Sequence, residues 1–136
     1  MKRKGSAVWK GSLKEGNGTV SLESGVLKDE QYSFKTRFED GKGTNPEELV
    51  GAAHAGCFSM QLSAFLTEDG FEPDKLETTS EITFEDGEIT KSHLILTAEV
   101  PGINKEQFDK IANKAKESCP LSKLLKAEIT LEYDLK

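Results

Sequence analysis

The run GAAHAGCFSM, residues 51–60, carries Cys57, and the chain has one other cysteine, Cys119. Residues with little side-chain bulk lead up to Cys57, so another backbone or a ligand can approach its sulfur closely. Several roles are open to such a cysteine. It can fill core space, as most free cysteines do, or form half of a staple. It can ligate zinc together with Cys119 and with His54, which lies three residues earlier on the same helix face. It can be a nucleophile, with His54 as general base or with a nearby cation holding the thiol ionised at neutral pH. The paired ligand spacings of zinc sites are missing, and no acidic group that would orient His54 is visible, so a packed, hydrogen-bonded histidine is expected rather than a ligand or a base. Arg37 is the candidate cation, the last charged side chain before the loop leading into this segment. The alternative for Arg37 is a solvated edge position beside Lys35. The GKGT at residues 41–44 lacks the leading glycine of a phosphate loop and reads as a turn. His93 reads as a surface or core-edge residue.

Elements around these residues must position them. β-type segments are expected over about 6–13, 18–23 and 31–38, separated by turns at residues 16–18 and 28–30. In the third, Tyr32, Phe34, Thr36 and Phe38 alternate with polar residues, which places Arg37 on a strand. A helix follows, capped by Thr44 or Asn45, with Pro46 in its first turn and Glu47 and Glu48 at its positive end. It runs to about Asp69, where Gly70 can stop it. Its first half has no broad polar face, so a sheet is expected on one side and another subunit on the other. Two alternating strands then meet at an Asp86–Gly87 hairpin turn, with Leu94, Leu96, Ala98 and Val100 on one face of the second. A second helix starts at Asn104 with Gln107 completing a capping box, and carries the stripe Phe108, Ile111, Ala112, Ala115 and Cys119. Pro120 marks its end, and a last strand alternates Ala127, Ile129, Leu131, Tyr133 and Leu135 with polar residues. The predicted fold is α+β, with antiparallel sheets packed on two main helices in the order β-β-β-α-β-β-α-β.

The 136 residues suit a single domain spanning 1–136, with a small core that packing against a partner would help. A net charge of −6 argues against nucleic acid and against an anionic membrane surface as partners. No stretch comes near the roughly 18 apolar residues expected of a membrane span. The basic start is not followed by the apolar run of a secretory signal. The expected compartment is the cytoplasm, where a cysteine pair is more often catalytic or metal-binding than a staple.

Two longer motifs add to this reading. TRFEDGKGTNPEELVGAAHAGCFSMQLS at 36–63 and CPLSKLL at 119–125 resemble the OsmC/Ohr family, the OsmC branch in particular. The element order agrees over essentially the whole chain. The resemblance implies a thiol-dependent peroxidase that reduces organic hydroperoxides, and hydrogen peroxide as well, and that works as an intertwined homodimer. Position by position it makes Cys57 the peroxidatic cysteine and Cys119 the resolving one. It makes Arg37 the group that stabilises the thiolate, and Glu47 the carboxylate that fixes Arg37 through a bidentate pair. The Ohr branch takes its arginine from the N-terminal loop, where this chain has only lysines. No cofactor and no metal are implied. A dithiol, lipoylated protein among the candidates, would be the reductant. An apolar wall from Phe58 and Met60, or from their partner-chain equivalents, would favour lipid-like peroxides.

One spacing bears on the dimer. Glu47 and Cys57 are ten residues apart, roughly 15 Å along a single helix. Either Arg37 spans that gap, or the Glu47 near a given Cys57 comes from the other subunit. The alternative function is a non-enzymatic redox sensor or hydrophobic-ligand binder that uses the same thiols.

Overall fold

Ser33 decides where the first sheet ends. In the computed structural model, which describes residues 1–136, a strand runs only over Glu30–Tyr32 (β3), after β1 (Gly5–Lys10) and β2 (Asn17–Leu22). The expected strand over 31–38 is instead interrupted by a short helix, α1 (Phe34–Phe38). Its cause is a capping box: the Ser33 side chain accepts from the Thr36 backbone N–H, and the Thr36 hydroxyl accepts from that of Ser33. Arg37 therefore sits on a helix, not on a strand edge.

The chain divides into two compact units, residues 1–49 and 50–136. In the first, β1, β2 and β3 form an antiparallel sheet in that order. Lys10 pairs with Asn17, so the first hairpin loop is residues 11–16 and the expected turn at 16–18 lies largely inside β2. Gly18 is needed there: a Cβ would lie 2.7 Å from both the Trp9 and Tyr32 rings. Its absence lets those rings approach over the strand to 5.3 Å between centroids.

The boundary between units falls inside the long helix α2 (Pro46–Glu68). Asn45 caps α2, its side-chain oxygen accepting from the Glu48 N–H at 2.8 Å, as expected. The helix ends where Gly70 adopts φ +86°. Gly70 N–H bonds back to Thr67 and Phe71 N–H to Leu66, a Schellman closure.

In the second unit β4 (Lys75–Glu85) and β5 (Glu88–Glu99) form the expected hairpin, with positive φ at both Asp86 and Gly87. α3 (Lys105–Ser118) begins with the expected Asn104–Gln107 box. Pro120 does not simply end this helix; it opens a further short one, α4 (Pro120–Leu124), with Cys119 as the hinge between the two. β6 (Glu128–Leu135) then pairs parallel with β5, so this sheet is mixed where an antiparallel one was expected. The α3–α4 crossover returns the chain to the same end of the sheet.

The core of this unit is one cluster. Phe58, Leu62 and Leu66 of α2 meet Leu94, Leu96 and Ala98 of β5 and Phe108, Ala112 and Ala115 of α3, all nearly inaccessible to solvent. Gly51 lets α2 lie close to β4, since a Cβ there would stand 3.1 Å from the Ser80 carbonyl oxygen. The opposite face of α2 is open, with Ala52, Ala53, Gly56 and Met60 exposed. By length and composition alone α2 is apolar enough to pass for a membrane span, as a core helix packed on a sheet also can. It does so because small residues replace the polar ones that usually mark an outer face.

Candidate active site

The helix α2 puts His54 and Cys57 on one face, one turn apart. Across from them, Cys119 and Ser122 are also three residues apart, running in the opposite direction. The two pairs meet as rungs. His54 Nε2 lies 2.8 Å from Ser122 Oγ, and the Cys119 thiol donates to Cys57 Sγ at 2.9 Å. Both cysteines are free thiols; Cys57 is partly exposed and Cys119 is fully buried. Of the two thiols, Cys57 is therefore the one that an incoming molecule can reach within this chain.

Burial and two neighbours act on the Cys57 thiol within this unit. Burial and the Cys119 thiol push its pKa up, and the backbone N–H of Leu121 pulls it down. Burial outweighs the Leu121 N–H, so the thiol stands above its ordinary range. Ionising it at neutral pH needs a positive charge that this unit does not place among those neighbours.

His54 is neither base nor ligand but the packed, hydrogen-bonded histidine expected of it. Both ring nitrogens are engaged by hydroxyls, Nδ1 with Ser92 at 2.6 Å and Nε2 with Ser122 at 2.8 Å. Neither is left for a thiol proton or a metal ion, and no three His, Cys, Asp or Glu side chains form a ligand set. Ser92 also bonds Ser80 at 2.7 Å. The hydroxyl partners Ser80, Ser92 and Ser122 were not foreseen; their one local sign was the matched three-residue spacing of His54–Cys57 and Cys119–Ser122.

In the first unit Arg37 and Glu47 come together. Arg37 Nε and Nη2 donate to the same oxygen, Glu47 Oε1, at 3.0 and 2.9 Å. This is not the side-by-side bidentate pair that was expected. It leaves Glu47 Oε2 buried with no hydrogen-bond partner, and an unpaired buried carboxylate oxygen is costly. The Arg37 guanidinium also lies over the Phe38 ring at 5.2 Å. Beside it opens a cavity of about 240 Å³ lined by Trp9, Leu13, Tyr32, Phe34 and Phe38. The apolar wall expected from Phe58 is not available, because Phe58 is fully buried in the core; Met60 is 78% exposed.

Comparison with known proteins agrees with this architecture. The family described as OsmC-like protein matches residues 39–134, and the chain belongs to it. Peroxiredoxin OsmC of Escherichia coli (strain K12) is 54% identical over 138 residues, covering 98% of this chain and 96% of that one. Organic hydroperoxide resistance protein OhrB of Bacillus subtilis is 27% identical over 122 residues, 88% of this chain and 89% of its own. Among solved structures, an OsmC-like protein of unknown function from Vibrio cholerae superposes with a TM-score of 0.76 at 16% identity, covering 98% and 99% of the two chains. The OhrB crystal structure does so at 0.65 and 24%, covering 98% of each. These structures share the fold.

Proposed function

We propose that this chain is a cysteine-based peroxidase that reduces organic hydroperoxides, and hydrogen peroxide with them, in an antioxidant stress response. One observation carries the reading: a partly exposed thiol, Cys57, 2.9 Å from a fully buried one, Cys119. The relative named peroxiredoxin OsmC, more than half identical over nearly the full chain, supports it.

The cycle follows from the residue types. The Cys57 thiolate attacks the distal peroxide oxygen and the O–O bond breaks. The leaving oxygen takes a proton and departs as an alcohol or as water, and Cys57 becomes a sulfenic acid. The Cys119 sulfur attacks that sulfur, water leaves, and a disulfide forms before Cys57 can be oxidised further. A dithiol, such as a lipoylated protein, then reduces the disulfide by exchange and is itself oxidised. Arg37, held by Glu47, supplies the positive charge that Cys57 lacks within its own unit and steadies the charge on the leaving oxygen. The aromatic cavity beside Arg37 is suited to an apolar peroxide chain.

In this reading the two units work as one functional domain completed by a second copy. The open face of α2 supports it: a Cβ at Gly56 would meet nothing within 4 Å in its own chain. The partnerless Glu47 Oε2 supports it too. Ten helical residues between Glu47 and Cys57 favour a site in which Glu47 comes from the other subunit. A dithiol pair of this kind suits the reducing cytoplasm.

The test is multiple turnover. With a dithiol reductant in excess, the protein should consume many equivalents of cumene hydroperoxide, and Cys57→Ser should consume none. Consumption of a single equivalent with every dithiol tried, dihydrolipoyl protein included, would point to a redox sensor instead.

A further inference from the structure

α4 is weakly anchored for an element that begins at a reactive cysteine. None of its residues is fully buried, Leu124 is 74% exposed, and Leu121 alone packs on the core, in part. Its five residues are too few to hold a helix by their own hydrogen bonds. Ser122, however, reaches a wholly buried imidazole. That imidazole is tied in turn through Ser92 to Ser80, so a line of side-chain hydrogen bonds runs from α4 through α2 to β5 and β4.

We propose that His54 and Ser122 are positioning residues for the resolving step. Their hydrogen bond fixes α4, and so sets the Cys119 thiol against Cys57. The inference rests on Cys57 and Cys119 being the redox pair. The two rungs share their supports: His54 and Cys57 lie one turn apart on α2, and Cys119 and Ser122 one turn apart at the start of α4. Releasing the His54 rung frees α4 to swing about the Cys119 hinge. The sulfurs then meet less often, while Cys57, held on α2 by Phe58 and Leu62 in the core, stays in place. Reaction at Cys57 is largely spared and closure of the disulfide slows.

A small aromatic disulfide, dithiobis-nitrobenzoate, reads the two steps without any peroxide. Cys57 attacks it, forming a mixed disulfide and releasing one coloured thiolate. Cys119 then attacks the Cys57 sulfur, forming the Cys57–Cys119 disulfide and releasing the second. The second phase is intramolecular and independent of reagent concentration. In Ser122→Ala it should slow roughly three- to tenfold, the range for one lost hydrogen bond, with the first phase within about twofold of the parent. Ser122→Thr, which keeps the hydroxyl, should recover most of the rate, and His54→Gln should behave like Ser122→Ala. An unchanged second phase in Ser122→Ala would overturn the proposal. So would equal slowing of both phases, or a parent protein that releases only one thiolate. Failure of peroxide turnover with the second phase slowed as expected would count against the peroxidase and not against this positioning role.

Discussion

Acid should weaken this fold through one imidazole, by an amount that can be worked out. His54 is fully buried, and burial holds its pKa below the ordinary histidine value. The unfolded chain takes up a proton near pH ~6.5 that the folded chain refuses. The folded pKa is the depressed one, so the associated stability is present above about pH 6.5 and is lost as the pH falls below it. Between about pH 7.5 and about pH 5.5 the loss reaches ~1.4 kcal/mol if folded His54 stays neutral throughout, and less if it begins to titrate. Urea unfolding of the reduced protein at both pH values, at matched protein concentration, measures this against His54→Gln. That substitution leaves His93 and every carboxylate in place, so their titration cancels in the difference. The parent should lose up to ~1.4 kcal/mol more than the variant on acidification. Equal losses in both proteins would refute the claim that the fold holds His54 neutral.

Removing the charge proposed for Cys57 should move its titration. Arg37→Ala is expected to slow the reaction of Cys57 with hydroperoxide about tenfold or more at neutral pH and to shift its pH–rate profile to alkaline pH, because an opposite charge is worth about one to three pKa units. Stopped-flow rates across pH check this, and Glu47→Gln should shift the profile in the same direction by less. Two glycines of α2 should separate by position. Gly51→Val meets the Ser80 carbonyl and should destabilise the protein by about 1–3 kcal/mol in thermal or urea unfolding. Gly56→Leu has space within its own chain, and should instead raise the concentration at which a dimer forms in analytical ultracentrifugation.

What could be read from the sequence was what neighbours in sequence decide. The Asn104–Gln107 box, the Asp86–Gly87 turn and the alternation of Leu94, Leu96 and Ala98 are each set within a few residues, and all stand in the structure. At 31–38 two local signals competed. Aromatic alternation favoured a strand, the Ser33–Thr36 box favoured a helix, and a five-residue helix is too short for its period to show. The parallel pairing of β6 was missed, because the long crossover before it permits a parallel partner without requiring one. The site divided in the same way. Cys57 and Cys119 stood out as the only cysteines, and their 2.9 Å approach agrees with a redox pair. His54 drew notice for its place beside Cys57, yet its partners Ser92 and Ser122 lie 38 and 68 residues away and belong to no motif that spacing could expose. The tilt of the Arg37–Glu47 pair onto a single oxygen is a matter of side-chain geometry, which residue types alone do not set.

The central claim is that Cys57 takes the peroxide oxygen and Cys119 resolves it. Treating the reduced protein with one equivalent of cumene hydroperoxide, blocking remaining thiols and mapping the peptides by mass spectrometry tests it most directly. The account predicts a Cys57–Cys119 disulfide, and in Cys119→Ser a sulfenic acid on Cys57 that further peroxide drives to sulfinic acid. Thiols that both remain free while the peroxide persists, or oxidation that falls on Cys119 first, would contradict it.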